Sequence, residues 1–261
     1  MIESRSNPRI KELCALIKKK KERDEAGVYV VEGRRMFAEA PEEEIKEVYV
    51  SESFMKQFGQ EPGIADKLKG AGYEVLSDDL FRYVSDTQTP QGVMCIMARR
   101  SCSLKEVMSG EMPFLLFIEE LQDPGNLGTM IRAGEGAGIT GVVLSEDSVD
   151  IYNPKTIRST MGSVFRIPFC YVPDIRAAVN EAKEAGLAVY AAHLKGERSY
   201  DEPDYRRGCG IIIGNEGAGI SDRVSEAASE LIRIPMKGRV ESLNAAVAAT
   251  VIMYEVARQR R

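Results

Sequence analysis

Two stretches near the end of the chain decide the fold: G-C-G-I-I-I-G-N-E-G-A-G-I-S at residues 208–221, and L-I-R-I-P-M-K-G-R-V-E-S-L-N-A-A-V-A-A-T-V-I-M-Y-E-V-A at residues 231–257. In each stretch, a short apolar run typical of a buried strand stops at a polar turn that contains glycine. A long helix, small and apolar on nearly every face, follows from about residue 242. Strands that end in polar loops, followed by a helix suited only to burial, predict a ligand site at the carboxyl ends of the strands.

Length and composition describe an ordinary soluble globular protein. The chain has 261 residues, which favours two domains because a domain usually spans roughly 100–200 residues. Hydrophobic residues make up 44% of the chain and charged residues 29%. No stretch approaches the roughly 20 apolar residues of a membrane helix, and the first residues, M-I-E-S-R-S-N-P-R-I-K-E-L, lack the apolar core of a secretion signal. We therefore expect a cytoplasmic protein with no membrane partner.

The cysteines and the histidine give no sign of a metal site. The five cysteines are scattered and never spaced as C-x-x-C, which argues against both a disulfide framework and a zinc site. We expect reduced and mostly buried thiols. The single histidine, His193, cannot build a metal site alone, and a hydrogen-bonded structural role suits it better.

The charge of the chain is unevenly distributed. The net charge of −5 disfavours nucleic acid as a partner, yet residues 5–23 carry eight basic side chains against two glutamates. Ser6-Asn7-Pro8 predicts a helix start, after which Ile10 and apolar residues at helical spacing turn one face inward and the lysines outward. This basic face is either an ordinary solvated surface or an RNA-contact surface, and the further arginines nearby favour RNA.

The order of apolar runs predicts an α/β fold in two parts. The first hundred residues contain strand-like apolar runs at 28–31, 48–50, 73–76 and 93–98 that alternate with helix-like segments. A polar stretch follows, and the alternation restarts with strand-like runs at 114–121, 141–146, 187–194, 211–213 and 231–236. Short α/β units of this kind form mostly parallel sheets that are covered on both faces. The predicted domains are a small α/β domain at residues 1–98, a linker at 99–110 and a parallel-sheet domain at 111–261.

Two glycine patterns can be set aside. Residues 136–141 fit G-x-G-x-x-G, but a dinucleotide fingerprint needs a strand before it and a helix after it, and here the order is inverted. Close packing of helix on strand explains these glycines better. No G-x-x-x-x-G-K-[ST] occurs, so a phosphate-binding P-loop is excluded as well.

Polar residues recur at three strand ends of the second half. Asn126 follows the first strand, and Arg132 comes almost two turns later in an apolar run, where it needs either a structural carboxylate or a substrate phosphate as a partner. Glu216 lies in the glycine turn at the second strand end. At the third, Ser242 could cap the last helix while Asn244 points its carboxamide inward. The recurrence favours a shared site.

These residues resemble a known family. N-x-G-x-x-x-R at 126–132, G-N-E-G-A-G-I-S at 214–221, and I-P-M with E-S-L-N-A-A-V-A-A within 234–249 resemble, in order, the three signature motifs of the SpoU (TrmH-like) RNA ribose 2′-O-methyltransferases of the SPOUT superfamily. Ala133-Gly134 stands where members more often carry Thr-Ala. Residues 1 to about 98, with S-R-S-N-P-R-I-K-E-L and V-V-E-G-R-R, look like the ribosomal-protein-like RNA-binding domain found in front of many members.

The resemblance implies a fold, a cofactor and partners. It implies a catalytic domain with a deep trefoil knot, bound S-adenosylmethionine, an RNA substrate and a homodimer formed through the knotted region. The residues implied for catalysis are Arg132, Asn126, Glu216, Ser242 and Asn244. The residues implied for the cofactor pocket are His193, Leu194, Gly214, Asn215, Glu216, Gly217, Ile234, Met236, Ser242, Leu243 and Asn244. The residues expected to contact RNA are Arg5, Asn7, Arg9, Lys11, Lys18, Lys19, Lys20, Lys21, Arg23, Arg34, Arg35 and Arg158.

Chemistry fits this assignment but leaves the base open. Transfer from a sulfonium depends on in-line positioning, and a ribose hydroxyl needs its proton removed or polarised. The family points to Arg132 of one subunit as the base, whereas arginine, which does not readily give up its proton, is better suited to hold a phosphate. The competing interpretations are a silent RNA-binding or ribosome-assembly factor, a methyltransferase that acts on a base nitrogen, and a tRNA enzyme. The extra N-terminal domain favours ribosomal RNA over tRNA.

Overall fold

A computed structural model describes the whole chain, Met1–Arg261, as two compact units. The first unit comprises Met1–Arg100 and Asp150–Phe165, and the second comprises Ser101–Val149 and Arg166–Arg261. The helices are α1 (Pro8–Lys18), α2 (Lys20–Ala26), α3 (Arg34–Glu39), α4 (Glu52–Phe58), α5 (Ile64–Ala71), α6 (Asp78–Val84), α7 (Leu104–Val107), α8 (Pro124–Ala137), α9 (Pro154–Thr160), α10 (Ile175–Glu184), α11 (Asp222–Ser225) and α12 (Ala245–Gln259). The strands are β1 (Val28–Glu32), β2 (Ile45–Ser51), β3 (Glu74–Leu76), β4 (Val93–Ala98), β5 (Phe114–Ile118), β6 (Gly141–Ser145), β7 (Phe169–Val172), β8 (Ala188–Ala192), β9 (Arg198–Ser199), β10 (Cys209–Ile213) and β11 (Glu230–Arg233).

The first unit is the small α/β domain that the apolar runs predict. Its four strands lie in the order β1-β4-β2-β3, with β4 antiparallel to β1 and β2, and β3 parallel to β2. Helix α1 begins where predicted, because the Asn7 side chain accepts a hydrogen bond from the Arg9 N–H and Pro8 occupies the first turn. Ile10 and Leu13 of α1 are fully buried in the core of this unit, each contributing about 1.5–3 kcal/mol.

A segment from the second half of the sequence completes the first unit. Residues 150–165 fall within the predicted domain 111–261 but pack in the first unit. Tyr152 stacks on Tyr29 with ring centroids 4.3 Å apart, and its hydroxyl accepts a hydrogen bond from the Arg100 N–H at 2.9 Å. Arg23 forms a buried ion pair of 2.6 Å with Asp150. The chain therefore leaves the second unit after Val149, contributes α9 to the first unit and returns at Arg166.

The second unit is built on the predicted parallel sheet. Seven strands lie in the order β7-β6-β5-β10-β8-β11-β9, and every neighbouring pair is parallel. All residues of the central strands β5, β6 and β10 are buried, as expected of a sheet covered on both faces. Strands β7 and β9 are additional to those expected from the sequence. The fold class predicted from the sequence, α/β with a parallel sheet in the second half, is confirmed.

The stretch 99–110, expected to be a linker, contains helix α7. Ser103 and Glu106 form a capping box at its start, with each side chain accepting from the backbone N–H of the other residue. Val107 is 1% exposed and belongs to the main core of the second unit. Part of this stretch is therefore folded onto the sheet.

The final helix is capped by a residue other than the one expected. The Asn244 side chain, and not that of Ser242, accepts hydrogen bonds from the N–H groups of Ala246 and Val247. This follows from helix geometry, since α12 begins at Ala245 and only the residue before the first turn can reach those donors. None of the twelve helices is both long and apolar enough to cross a bilayer.

Candidate active site

A cavity of about 650 Å³ lies in the second unit at the carboxyl ends of β8, β10 and β11. This is the sheet edge at which ligands bind in open α/β folds. Ten of the eleven residues expected around a cofactor line it: His193, Leu194, Gly214, Asn215, Glu216, Gly217, Ile234, Met236, Ser242 and Leu243. Asn244, the eleventh, does not line the cavity and lies immediately beyond Leu243, where it caps α12.

The glycine loop, residues 214–221, forms one wall of the cavity and closes tightly on itself. The backbone groups of Asn215 and Gly219 exchange two hydrogen bonds of 3.0 and 2.9 Å. A Cβ atom on Gly214 would lie 2.3 Å from the carbonyl group of Gly219, so no side chain fits there. The Asn215 carboxamide oxygen accepts from the N–H groups of Gly217 and Ala218 and fixes the tip of the loop.

Glu216 joins this loop to the segment that follows β5. One carboxylate oxygen accepts from the Asp123 N–H at 2.9 Å and from the Asn126 carboxamide at 3.0 Å, and the other accepts from the Gln122 N–H at 3.0 Å. Partial burial raises the pKa of Glu216, but the hydrogen bonds from Asn126, Gln122 and Asp123 outweigh it and hold the pKa below its usual 4.5. Glu216 is therefore ionised at neutral pH, and we call the three hydrogen bonds that its carboxylate accepts the Glu216 clamp.

Asn126 and Asn244 extend this clamp to the last helix. The Asn244 carboxamide nitrogen donates to the carboxamide oxygen of Asn126 at 3.0 Å, and Asn126 in turn donates to Glu216. The Asn126 N–H is held by the Asp123 side chain, which caps α8. Three residues from three separated motifs thus form one hydrogen-bonded chain beside the cavity, as their recurrence at strand ends predicts.

Arg132 and Ser242 take no part in the hydrogen bonds that link Glu216, Asn126 and Asn244. Arg132 lies on α8 with an exposed side chain that forms no ion pair or hydrogen bond within the chain. The structural carboxylate expected as one possible partner is therefore absent. Ser242 is exposed at the cavity wall. Both side chains are free to meet a ligand.

His193 has the hydrogen-bonded role expected of it. Its Nδ1 accepts from the Lys195 N–H at 3.0 Å, which leaves Nε2 as the other hydrogen-bonding atom. The half-buried ring also lines the cavity. No group of three or more histidine, cysteine or acidic side chains is arranged to hold a metal ion. All five cysteines are free and three are buried, and burial raises the pKa of the Cys95 thiol to about 12.

The basic residues expected to contact RNA belong to the first unit, and one of them is misassigned. Arg23 is 3% exposed and donates to the carbonyl groups of Leu16 and Ile17 as well as to Asp150, so it cannot reach RNA. Its charge stabilises the packing of residues 150–165 instead. The other members of the set are exposed or partly exposed: Arg5, Asn7, Arg9, Lys11, Lys18, Lys19, Lys20, Lys21, Arg34, Arg35 and Arg158.

Most of the exposed arginines are already paired at the surface. Arg9, Arg34, Arg35 and Arg158 form ion pairs with carboxylates of the same unit. Such exposed pairs are worth about 0–1 kcal/mol, so a phosphate can replace the carboxylate at little cost. Among the lysines of this face, Lys19 pairs with Glu22 and Lys21 with Glu25, whereas Lys11, Lys18 and Lys20 form no ion pair. The basic face of α1 and α2 therefore presents charge that is available to a polyanion.

Sequence reasoning missed Glu119, a buried carboxylate at the end of β5. It is 6% exposed and accepts two hydrogen bonds from Ser221, the last residue of the glycine loop. The signal available in the sequence is an acidic pair, Glu119-Glu120, directly after an uninterrupted apolar strand.

Comparison with known proteins agrees with the arrangement of the three motifs. The profile of the SpoU rRNA Methylase family matches residues 113–254, and that of an MRM3-like substrate binding domain matches residues 7–95. The chain belongs to the SpoU rRNA methylase family.

Individual relatives resemble the chain over almost its whole length. The 23S rRNA (guanosine(2553)-2′-O)-methyltransferase RlmP of Bacillus subtilis is 34% identical over 257 residues, covering 98% of both chains. The crystal structure of an AdoMet-bound rRNA methyltransferase from Sinorhizobium meliloti superposes with a TM-score of 0.85 at 30% identity, covering 98% of this chain and 97% of that one. AviRb from Streptomyces viridochromogenes in complex with AdoMet gives a TM-score of 0.85 at 26% identity, covering 97% of this chain and 98% of that chain.

Proposed function

We propose that this protein is an S-adenosylmethionine-dependent methyltransferase that acts on a ribose 2′-hydroxyl of ribosomal RNA. The observation that carries the proposal is the hydrogen-bonded chain Glu216–Asn126–Asn244, which brings three motifs of the SpoU family together at the edge of a cavity. Relatives that cover nearly the whole chain are named as rRNA 2′-O-methyltransferases and include AdoMet-bound structures.

The cavity has the size and lining that the cofactor needs. Its volume of about 650 Å³ lies within the roughly 300–1,000 Å³ usual for small-molecule sites. Gly214 and Gly217 leave backbone groups open to an adenine ring, and Ile234, Met236 and Leu243 provide apolar contacts for its faces. S-adenosylmethionine supplies an activated methyl group on a sulfonium centre for in-line displacement.

The polar residues beside the cavity position the substrate. Both carboxylate oxygens of Glu216 are engaged by donors of the chain, so Glu216 fixes Asn126 and does not take up a proton from the hydroxyl. Asn126 holds Asn244 at the start of α12, and Ser242 offers a free hydroxyl at the cavity wall. These residues set the geometry of the attacking ribose oxygen, and none is a strong base.

Arg132 is the residue that we assign to the reacting centre. Its guanidinium has no partner within the chain and does not line the chain's own cavity. We infer a homodimer, formed through a knotted C-terminal domain, in which Arg132 of one protomer serves the cavity of the other. There its planar guanidinium donates hydrogen bonds to the phosphate that flanks the target nucleotide and polarises the 2′-hydroxyl.

The first part of the chain supplies the docking surface for RNA. We assign residues 1–98, together with residues 150–165 that pack in the same unit, to substrate binding. The rest of residues 111–261 is assigned to catalysis, with residues 99–110 as a partly helical connection, all in a cytoplasmic protein. A match to an MRM3-like substrate binding domain at residues 7–95 supports the first assignment. The lysines of α1 and α2 give this acidic protein a local surface that suits phosphates.

Methyl transfer tests the proposal. The purified protein is incubated with S-adenosylmethionine carrying a tritiated methyl group and with rRNA from cells that lack the corresponding gene, with tRNA from the same cells as the comparison. We expect label in rRNA at a position that resists alkaline cleavage, because a 2′-O-methyl group removes the nucleophile for that reaction. Label at an alkali-sensitive position would indicate a methylated base. Label in tRNA alone would show that tRNA, and not rRNA, is the substrate. Absence of label from both RNAs would contradict the proposed activity.

A further inference from the structure

Two adjacent residues after β5 hold the two ends of the glycine loop. Glu119 accepts hydrogen bonds from the N–H of Ser221 at 2.9 Å and from its hydroxyl at 2.6 Å. The Glu120 carbonyl accepts from the Asn215 carboxamide at 2.8 Å. Asn215 begins the turn of the loop and Ser221 ends it, and the residues between them line the cavity.

Ser221 connects Glu119 both to the end of the glycine loop and to the start of helix α11. Its hydroxyl donates to Glu119 and accepts from the Val224 N–H, so it also caps α11. Ser225 donates its hydroxyl to the Ser221 carbonyl. A shift of Ser221 away from Glu119 would therefore move the end of the glycine loop together with the start of the following helix.

Glu119 makes this connection with a carboxyl group that is buried away from water. Its carboxylate is 6% exposed and forms no ion pair. Burying a carboxyl group is unfavourable unless hydrogen bonds satisfy its oxygens, and here Ser221 donates to both of them. Its own N–H donates to the Ile213 carbonyl at 2.9 Å, which aligns the end of β5 with the strand that enters the loop.

Glu120 adds a second sign of constraint at the same place. It has a φ of 51°, a left-handed conformation that non-glycine residues rarely adopt. Its N–H donates to the Ser145 hydroxyl at 2.9 Å, and its carbonyl also accepts from the Gln122 side chain at 2.8 Å. The surrounding hydrogen bonds hold the strained residue where its carbonyl meets Asn215.

We propose that Glu119 is a positioning residue for the cofactor, acting through Ser221 to hold the glycine loop in its binding conformation. The proposal rests on the proposed function, because it takes the cavity to be the S-adenosylmethionine site. A loop that is fixed before the ligand arrives loses little conformational freedom on binding. Releasing one end of the loop should therefore weaken cofactor binding more than it changes the chemical step.

The test is calorimetric titration of S-adenosylmethionine into the full-length protein and its Glu119→Gln variant. The amide has one acceptor oxygen for the two donors of Ser221, so one hydrogen bond to a charged acceptor is removed, and we expect Kd to rise by about tenfold. In the methyl-transfer assay, KM for the cofactor should rise by a similar factor while kcat at saturating cofactor stays near the wild-type value. Ser221→Ala should raise Kd less, and adding Glu119→Gln to it should have little further effect.

Thr140→Val is the matched control, because Thr140, which precedes β6, hydrogen-bonds to the opposite end of β5 from Glu119. The Thr140 hydroxyl accepts from the Phe114 N–H at 2.9 Å, far from the loop, and valine has nearly the same shape. We expect this variant to lower Tm without changing Kd. A Glu119→Gln variant that lowers Tm but binds the cofactor like wild type would overturn the positioning role. If that variant does not fold, an unchanged Kd in Ser221→Ala overturns it equally. Absence of binding by the wild-type protein would overturn the proposed function as well.

Discussion

Replacing Glu216 by alanine should loosen the junction between the glycine loop and the segment after β5. The carboxylate accepts three hydrogen bonds, from the N–H groups of Gln122 and Asp123 and from the Asn126 side chain. A hydrogen bond to a charged group is worth roughly 1.5–3 kcal/mol, and water replaces part of each at an exposed residue, so we expect a loss of about 2–3 kcal/mol in the free energy of unfolding. For a protein of this size that corresponds to a fall in Tm of roughly 5–10 °C.

The pH dependence of this loss has a defined sign. The pKa of folded Glu216 lies below its usual 4.5, so its contribution to stability is fully present above that pH. It disappears as the pH falls through the folded-state pKa, because protonation then removes the charge that accepts the hydrogen bonds. The difference in Tm between the wild type and Glu216→Ala should therefore be constant near neutral pH and shrink in acid.

Thermal unfolding followed by circular dichroism, at neutral pH and in acid, measures both effects. Glu226→Ala is the control, because Glu226 is exposed in the same unit and its side chain forms no hydrogen bond. It should change stability by no more than about 0.5 kcal/mol. A Glu216→Ala protein that melts like wild type, or whose deficit is as large in acid as at neutral pH, would refute the clamp.

Three further outcomes follow from the same structure. Arg132→Ala should abolish turnover while sparing cofactor binding. Mixing this variant with Leu243→Arg should restore about a quarter of wild-type activity, because half of the dimers then carry one complete site out of two. No restoration would contradict the sharing of a site between protomers. Changing residues 18–21 to glutamine should reduce the slope of log affinity for rRNA against log salt by roughly 0.7–0.9 for each phosphate that the protein no longer neutralises, and an unchanged slope in filter binding would place the RNA elsewhere. Arg23→Ala should instead leave that slope unchanged and cost about 3–5 kcal/mol in chemical denaturation by stranding Asp150; a stable variant with weakened RNA binding would reverse this assignment.

The strands and the location of the site could be predicted because they depend on local pattern. Apolar runs bounded by turns marked all four strands of the first unit and the central strands of the second. Parallel strands bring their carboxyl ends to one edge, so motifs that follow different strands were expected to meet. Asn126 and Asn244, 118 positions apart, do form a hydrogen bond.

The partners of individual charges could not be predicted, because they depend on contacts remote in sequence. Arg23 lies in a run of basic residues and resembles part of a solvated face, yet Asp150, 127 positions away, holds it in the interior. Glu119 ends an apolar strand, and nothing local indicates that Ser221 will satisfy its carboxylate. The cap of α12 was assigned to Ser242 because the boundary of the helix was placed too early; a start at Ala245 makes Asn244 the cap.

The most direct test of the central claim is calorimetric titration of S-adenosylmethionine into the wild-type protein and into Leu243→Arg. Leu243 lines the cavity, and an arginine there would fill the space and add an unpaired charge. We predict saturable binding to the wild type and none to the variant, with both proteins folded by circular dichroism. A folded wild-type protein that does not bind S-adenosylmethionine, or a Leu243→Arg variant that binds it equally well, would contradict the assignment of the cavity to the cofactor.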